Sequence, residues 1–168
     1  MYPEQNMIVR CENPDDSVDQ SAIRSVNEAA FGRPDEADLV DALRADNVVL
    51  TSLMAEREHW IVGHILFSRI FIETVPAVAL APVAVQPEYQ RQGIACTLIH
   101  LGIASMRKRG ERIILVLGHP EYYERFGFAA ETARNLETPF PPEAFMAMEL
   151  SPGALAPIRG KVRYPAAF

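Results

Sequence analysis

The stretch that most constrains the fold is an almost wholly apolar run, residues 78–85, which ends shortly before a long amphipathic pattern. A short continuous apolar run of this kind is typical of a strand that is covered on both faces. Pro82 lies inside the run, and a proline cannot donate a hydrogen bond to a neighbouring strand. We therefore predict a central strand that bulges or parts from one neighbour near Pro82, which leaves a gap in the sheet.

The residues after this strand predict a turn and then a long helix that begins near Gly93 and ends near Arg109. Apolar residues recur along it at spacings of three and four, and Lys108 and Arg109 suit the negative end of the helix dipole. Residues 112–117 are again apolar and predict the next strand. A strand, a helix and a strand in this order favour parallel pairing of the two strands.

The turn before this helix has the composition of an anion-binding loop. Backbone N–H groups in the first turn of a helix lack intrahelical partners and lie at the positive end of its dipole. Gly93 lets a phosphate approach the backbone closely, Ala95 keeps that approach clear, and Arg91 adds a cation. The loop lacks both the Gly-Lys-Ser/Thr of a P-loop and the glycine spacing of a dinucleotide fingerprint. The alternative is that Gly93 only shapes the turn.

The remaining periodicities predict an α/β fold with a mixed sheet. A strand, two helices and a hairpin of two long strands come first, and a short helix and two further strands come last. These elements are expected at residues 7–11, 17–32, 35–45, 48–55, 60–73, 121–125, from Phe128 onward, and 144–150, with a Pro-rich loop at 137–142. We expect one domain over residues 1–168, with six to seven strands flanked by about four helices.

Charge and cysteine content narrow the functions open to such a chain. Lys plus Arg number 16 against 22 Asp plus Glu, a formal charge of −6 that is opposite to the balance typical of nucleic-acid binding. The longest apolar run, residues 75–85, is far shorter than the roughly 20 residues of a membrane span. Cys11 and Cys96 lack the paired spacing of a zinc site or a disulfide framework. With no signal-peptide pattern in residues 1–6, we predict a cytoplasmic protein without nucleic-acid, membrane or metal partners.

Two segments resemble the GNAT superfamily of N-acetyltransferases. Residues 81–95, APVAVQPEYQRQGIA, are similar to the family's motif A, in which a bulged strand feeds a Gln/Arg-x-x-Gly-x-Gly/Ala loop. Residues 122–128, YYERFGF, resemble its helix-to-strand motif that ends in Gly-Phe. The order and spacing of the elements also agree. The resemblance extends over residues 7–150 and is greatest to bacterial members without an assigned substrate.

This resemblance implies that the fourth and fifth strands splay apart and that acetyl-CoA, as co-substrate, occupies the gap. The backbone of Val83, Ala84 and Val85 would pair with its pantetheine arm, and the loop would hold its pyrophosphate. The implied cofactor-binding set comprises Val83, Ala84, Val85, Gln90, Arg91, Gln92, Gly93, Ile94 and Ala95. The acceptor pocket would be built from residues 30–41 and 136–148.

The implied reaction is direct acetyl transfer to a primary amine of a small molecule or peptide. Backbone N–H groups freed by the bulge, of Val83 or Val85, would stabilise the oxyanion. Tyr123 matches the family's tyrosine acid, which would hydrogen-bond to the leaving sulfur. The alternative for Tyr122 and Tyr123 is packing against the sheet. The alternative function is a non-catalytic acyl-CoA-binding sensor or interaction module of the same fold.

The general base is less constrained by the pattern. His119 follows the fifth strand and titrates in the right range, but the family more often has an acidic residue at this place. His64 and Glu73 on the third strand are further candidates, although a packed histidine and a solvated strand end are the favoured explanations of these residues. The basic tail, residues 159–168, fits a strand edge or a contact in a homodimer and receives no function.

Overall fold

The computed structural model describes residues 6–168 and builds them around an eight-stranded mixed sheet. The strands are β1 (Met7–Cys11), β2 (Val49–Arg57), β3 (Trp60–Ile72), β4 (Val75–Val85), β5 (Ile113–Leu117), β6 (Leu136–Glu137), β7 (Phe145–Glu149) and β8 (Gly160–Arg163). The helices are α1 (Ser17–Phe31), α2 (Asp35–Ala45), α3 (Ile94–Lys108) and α4 (Pro120–Tyr123), and 3-10 turns occupy Pro87–Tyr89, Glu124–Phe126 and Glu131–Ala133. Residues 1–5, on which the targeting expectation largely rests, lie outside the described part.

The sheet follows the order β1-β2-β3-β4-β5-β7, and β8 joins it by pairing with β3 and with β6. Only the β4–β5 and β6–β8 pairs are parallel within the described residues. The predicted α/β fold with a mixed sheet is confirmed. The strand count exceeds the predicted six to seven because of two short strands: β6, which the sequence pattern did not indicate, and β8, which lies in the tail that fitted either a strand edge or a dimer contact.

The strand predicted to start at Phe128 is wrong. Phe128 is buried, but the chain there forms only one isolated bridge, between Ala129 and Ala147. The 3-10 turns on either side, Glu124–Phe126 and Glu131–Ala133, leave no extended length over which a ladder could continue. The next strand, predicted at 144–150, is β7, which lies at one end of the strand order and is followed in the chain by β8.

The gap in the sheet lies between β4 and β5. These strands pair only at Val78–Ile114 and Ala79–Leu115, and the rest of β4 runs on without a partner on β5. On the other side of β4, two residues, Ala81 and Pro82, stand opposite one residue of β3, which is a β-bulge. The predicted break at Pro82 and the splaying of the fourth and fifth strands are therefore confirmed.

Helices cover both faces of the sheet. α3 buries Leu98, Ile99 and Met106 against the face formed by Phe67 and its neighbours, and α1 and α2 cover the opposite face. α1 begins where the Asp16 side chain accepts a hydrogen bond from the Val18 N–H, at 2.8 Å. None of the helices in residues 6–168 combines the length and apolar character that crossing a membrane requires.

Candidate active site

A cleft of about 580 Å³, here called the loop cleft, lies where the end of β4, the start of α3 and α4 meet. It is lined by Val83, Val85, Tyr89, Gln90, Arg91, Gly93, Ile94, Ala95, Cys96, Tyr122, Tyr123 and Arg125. Seven of the nine predicted cofactor-binding residues are in this lining, and the two exceptions are Ala84 and Gln92. The splayed end of β4 and the turn after it therefore share one cleft, as the sequence predicted.

The first residues of α3 line this cleft, and no described side chain caps the backbone N–H groups at this end of the helix. Gly93 occupies the N-cap with φ of 83°, and Arg91 also has a positive φ, of 61°. Left-handed residues that alternate with others along a turn can direct neighbouring N–H groups to one side, an arrangement that suits an anion. The glycine is favoured at residue 93 because its backbone conformation strains other residues.

The two glutamines of the loop hold its shape. The Gln90 side chain donates to the Val85 carbonyl at 3.0 Å, which ties the turn back to β4. Gln92 accepts a hydrogen bond from Arg57 at 2.5 Å and donates to the Glu88 carbonyl at 3.3 Å. These contacts explain why Gln92 lies outside the lining of the loop cleft.

Ala84 is absent from the lining because strand residues alternate between the two faces of a sheet. Val83 and Val85 face the loop cleft, whereas Ala84 is buried and pairs with His64 on β3. The prediction for Ala84 concerned its backbone, which this position leaves untested.

A second cavity of about 320 Å³, here called the aromatic cavity, lies on the other side of the splayed strands. It is lined by Phe31, Glu36, Leu39, Ala79, Leu80, Ala81, Pro82, Val83, Leu115, Val116, Leu117, Tyr123, Phe140, Tyr164 and Phe168. The ring of Tyr164 lies 5.5 Å from that of Phe140 and 5.1 Å from that of Phe168, centroid to centroid. Val83 and Tyr123 line both cavities, so the two spaces meet at these residues.

Tyr123 is mostly buried at this meeting point. Burial, with a smaller contribution from Tyr122, raises the pKa of the Tyr123 phenol to about 12, so the group is protonated at neutral pH. Its ring stands edge-on to Phe128 at 5.9 Å and packs against Gly118, where a Cβ would overlap the ring. The tyrosine is therefore both packed and placed at the junction of the cavities.

His119 and Glu73 lie outside both cavities. The His119 side chain is exposed, and its carbonyl accepts the N–H groups of Tyr122 and Tyr123 at 3.1 and 3.2 Å, which starts α4. The Glu73 carboxylate accepts hydrogen bonds from the Lys161 N–H at 2.7 Å and from Arg163 at 3.0 Å, and these donors lower its pKa. Glu73 therefore joins the β3–β4 turn to β8.

His64 is wholly buried beneath α1, on the face of β3 away from the loop cleft. The Asn27 amide donates to its Nδ1 at 3.1 Å, and its Nε2 lies 2.9 Å from the Ser52 hydroxyl. Because Nδ1 accepts in this arrangement, the ring is neutral with its proton on Nε2. Burial lowers the pKa of His64 to about 3, so this histidine is part of the core and lines neither cavity.

Several lining residues were not singled out from the sequence. Arg125 enters the loop cleft with its guanidinium 4.6 Å from the centroid of the Tyr122 ring. Glu36 and Phe140 fall inside the segments expected to build the acceptor pocket, which was the available signal. Tyr164 and Phe168 had no such signal, because the tail reaches the cavity only through the folding of β8 onto β3. Among residues 6–168 there is no cluster of three or more metal-ligating side chains.

Comparison with known proteins agrees with this architecture. The family model of the acetyltransferase (GNAT) domain matches residues 18–130. The chain is 44% identical over 119 residues to the uncharacterized N-acetyltransferase YjhQ of Escherichia coli K12, covering 67% of this chain but only 66% of YjhQ, just under two thirds of its length. It is 32% identical over 163 residues to the uncharacterized N-acetyltransferase YhbS of the same strain, covering 94% and 96% of the two chains.

Two solved structures have the same fold. The E. coli YhbS structure, in complex with CoA, has a TM-score of 0.91 at 29% identity and covers 100% of this chain and 94% of its own. A GNAT acetyltransferase of Brucella melitensis, in complex with acetyl-CoA, has a TM-score of 0.82 at 35% identity and covers 98% and 99%. With the family model matched across the loop cleft and α4, the chain belongs to the GNAT family of N-acetyltransferases.

Proposed function

We propose that the chain is a single-domain enzyme that transfers the acetyl group of acetyl-CoA directly to a primary amine of a small molecule or peptide. The observation that carries this proposal is the meeting of the loop cleft and the aromatic cavity at Val83 and Tyr123. Direct transfer requires two substrates to reach one point from separate sides, in a near-attack geometry. Location in the cytoplasm, a homodimer and the absence of nucleic-acid partners stay predictions.

The loop cleft offers what acetyl-CoA needs. Backbone groups of β4 beyond Ala79 have no partner on β5, so they can pair with the amides of a pantetheine arm as a strand would. Free N–H groups at Gly93 and the first turn of α3 suit a pyrophosphate, and Arg91 and Arg125 add positive charge. For acetyl-CoA to bind, this local positive charge has to outweigh the formal charge of −6 carried by the whole chain. The relatives YhbS and the Brucella enzyme, crystallised with CoA and acetyl-CoA, support the assignment.

The chemistry we propose has two parts supplied by this chain. An N–H of Val83 or Val85, beside the bulge, stabilises the oxyanion that forms at the thioester carbonyl. Tyr123 donates a hydrogen bond to the sulfur as it leaves. Full proton transfer from a phenol of pKa about 12 to a thiolate near 8.5 is uphill by about 5 kcal/mol, so the hydrogen bond is the operative contribution.

A water chain is the proton acceptor we propose for the ammonium form of the substrate. His64 is buried away from both cavities and neutral, and Glu73 is held at β8. His119, the predicted base, does not line either cavity, and its role stays a prediction. A primary amine with a pKa near 10 is mostly protonated at pH 7, and only a small fraction is neutral. We therefore expect the rate of acetyl transfer to rise with pH.

Two variants test the cofactor site with a matched control. Gly93→Leu should reduce CoA affinity measured by calorimetry at least tenfold, because the side chain would project where phosphate approaches and would strain a φ of 83°. Gly110→Leu is the control, since Gly110 lies beyond the other end of α3 with φ of 82° and equally open surroundings. Equal loss of affinity in both variants would contradict the assignment.

Tyr123→Phe separates the enzyme from the non-catalytic sensor. We expect thiol release from acetyl-CoA to fall about 10²-fold while CoA affinity stays within a factor of about three. An unchanged rate would remove Tyr123 from the mechanism. CoA binding by the wild-type protein without turnover over a broad amine panel would favour the sensor.

A further inference from the structure

We propose that the acceptor is a small primary monoamine with an aromatic or aliphatic body, and that Glu36 is the residue that binds its ammonium group in the aromatic cavity. This inference rests on the proposed function, since it names the substrate class of the same site. Three observations support it: the side chains that line the cavity, the position and ionisation of the Glu36 carboxylate, and the lack of Lys and Arg in the described lining.

The body of the acceptor is indicated by the walls of the cavity. Five aromatic rings line it together with aliphatic side chains of β4 and β5, and they belong to Phe31, Tyr123, Phe140, Tyr164 and Phe168. Its volume of about 320 Å³ is at the low end of the range for small-ligand sites, roughly 300–1,000 Å³, and suits a small molecule better than a folded or extended peptide. Transfer of an apolar body into such a space is favourable because it removes apolar surface from water.

The charge of the acceptor is indicated by Glu36. Its side chain, in the first turn of α2, is only 15% exposed and is the one carboxylate among the described lining residues. Arg33, which is 59% exposed and does not line the cavity, donates to Oε1 of Glu36 at 2.5 Å, and its Nε lies 3.2 Å from both carboxylate oxygens. This pairing lowers the pKa of Glu36, so the group stays ionised and can accept further hydrogen bonds into the cavity.

A lowered pKa makes Glu36 a binding group and a poor general base. An ionised carboxylate in a partly buried site attracts an ammonium strongly, but it takes up a proton reluctantly. We therefore expect Glu36 to act mainly on KM for the amine and little on kcat.

Polyamines and carboxylate-bearing amines are disfavoured by what the described lining lacks. No Lys or Arg of residues 6–168 lines the aromatic cavity, so a substrate carboxylate or phosphate would lose its hydration without a partner. The second ammonium of a polyamine would also lack a charged partner in the described lining. The two tyrosines there, Tyr123 and Tyr164, are neutral phenols because burial raises their pKa values. One positive charge and no negative charge therefore define the acceptor.

The proposed reaction is balanced with the amine, acetyl-CoA and water as its only participants. The bound ammonium loses one proton to water, and the nitrogen lone pair forms the N–C bond at the thioester carbonyl. The nitrogen then gives up a second proton to water, and the C–S bond breaks with its electron pair on sulfur, which takes up one proton from water to give CoA thiol. One proton is released for each amide formed, and no oxidant, reductant or metal is required.

The test compares three amines of similar size class in the thiol-release assay: 2-phenylethylamine, phenylalanine, which adds a carboxylate, and spermidine, which adds charges. With the wild-type protein we expect kcat/KM for 2-phenylethylamine to exceed those for the other two at least tenfold. Glu36→Gln should raise KM for 2-phenylethylamine at least tenfold and change kcat less than threefold. The control is Glu131→Gln, which removes an 80% exposed carboxylate that also pairs with an arginine three residues away, and it should match wild type.

A second measurement keeps this inference separate from the proposed function. Calorimetry of 2-phenylethylamine with the CoA-loaded protein should show binding that Glu36→Gln weakens at least tenfold. Preference for phenylalanine or spermidine, or an unchanged KM and affinity in Glu36→Gln, would overturn the inference even if acetylation itself is observed. Binding that depends on Glu36 without acetylation of any amine would overturn the proposed function and leave the cavity assignment standing.

Discussion

Acidification should destabilise this protein between pH 7 and pH 5 through one buried side chain, His64. In the folded chain its pKa is about 3 because burial disfavours the imidazolium, and Arg44 adds a smaller repulsion. In the unfolded chain the ring titrates near its ordinary pKa of 6.5. The unfolded state therefore binds more protons below pH 6.5, and the stability that His64 contributes is lost as the pH falls from about 6.5 toward 3.

The magnitude follows from the two pKa values. Between pH 7 and pH 5 the unfolded state is stabilised by protonation of this ring by about 2 kcal/mol, and by about 3 kcal/mol at pH 4. Carboxylates whose pKa values are lowered in the fold, such as Asp19 and Glu36, act in the same direction but only below their unfolded pKa near 4. The window from pH 7 to pH 5 therefore isolates the histidine.

His64→Gln is the perturbation that tests this reasoning. The amide can still meet Asn27 and Ser52 but does not titrate, so the variant should lose about 2 kcal/mol less than wild type between pH 7 and pH 5. Urea denaturation followed by circular dichroism at both pH values measures this. His59→Gln, at a side chain that is 99% exposed, is the matched control and should behave as wild type. If wild type and His64→Gln lost equal stability, the reasoning would be refuted.

Two further predictions concern the site. Gly118→Ala should lower kcat about tenfold at unchanged CoA affinity, because the new Cβ would displace the Tyr123 ring that packs against Gly118. A kcat equal to that of wild type would show that the position of this ring is unimportant. Arg125→Gln should weaken CoA binding about threefold to tenfold and reduce its salt dependence, since a cation is removed from the loop cleft. Calorimetry at two salt concentrations checks this, with the exposed Arg134→Gln as the control.

Elements with local signals were predicted well. α1 ends at Phe31 with Gly32 as its C-cap, at φ of 68°, and α2 occupies the predicted residues 35–45. The break at Pro82 was also predictable, because a proline lacks the N–H that a sheet requires. In each case the physical cause lies within a few residues of its effect.

Elements that depend on distant partners were not predicted. β6 has only two residues, and its pairing with β8 joins Leu136 to Gly160, so no pattern within β6 indicates the strand. Phe128 looked like a strand start because it is apolar, but its burial beneath Tyr123 satisfies that apolar character without a ladder. His64 looked like a candidate base because a sequence pattern does not reveal which side of a strand is covered.

The sequence by itself determined the gap in the sheet, the turn at Gly93 and the family, since each depends on residues that are close together in the chain. Only the tertiary structure decided that Tyr123 stands between two cavities and that His64 is inert in the core. It alone brought Glu36 of α2 and Phe168 of the tail to the same aromatic cavity. The physical reason is that backbone conformation follows from local sterics and hydrogen bonding, whereas the surroundings of a side chain depend on residues distant in sequence that packing brings together.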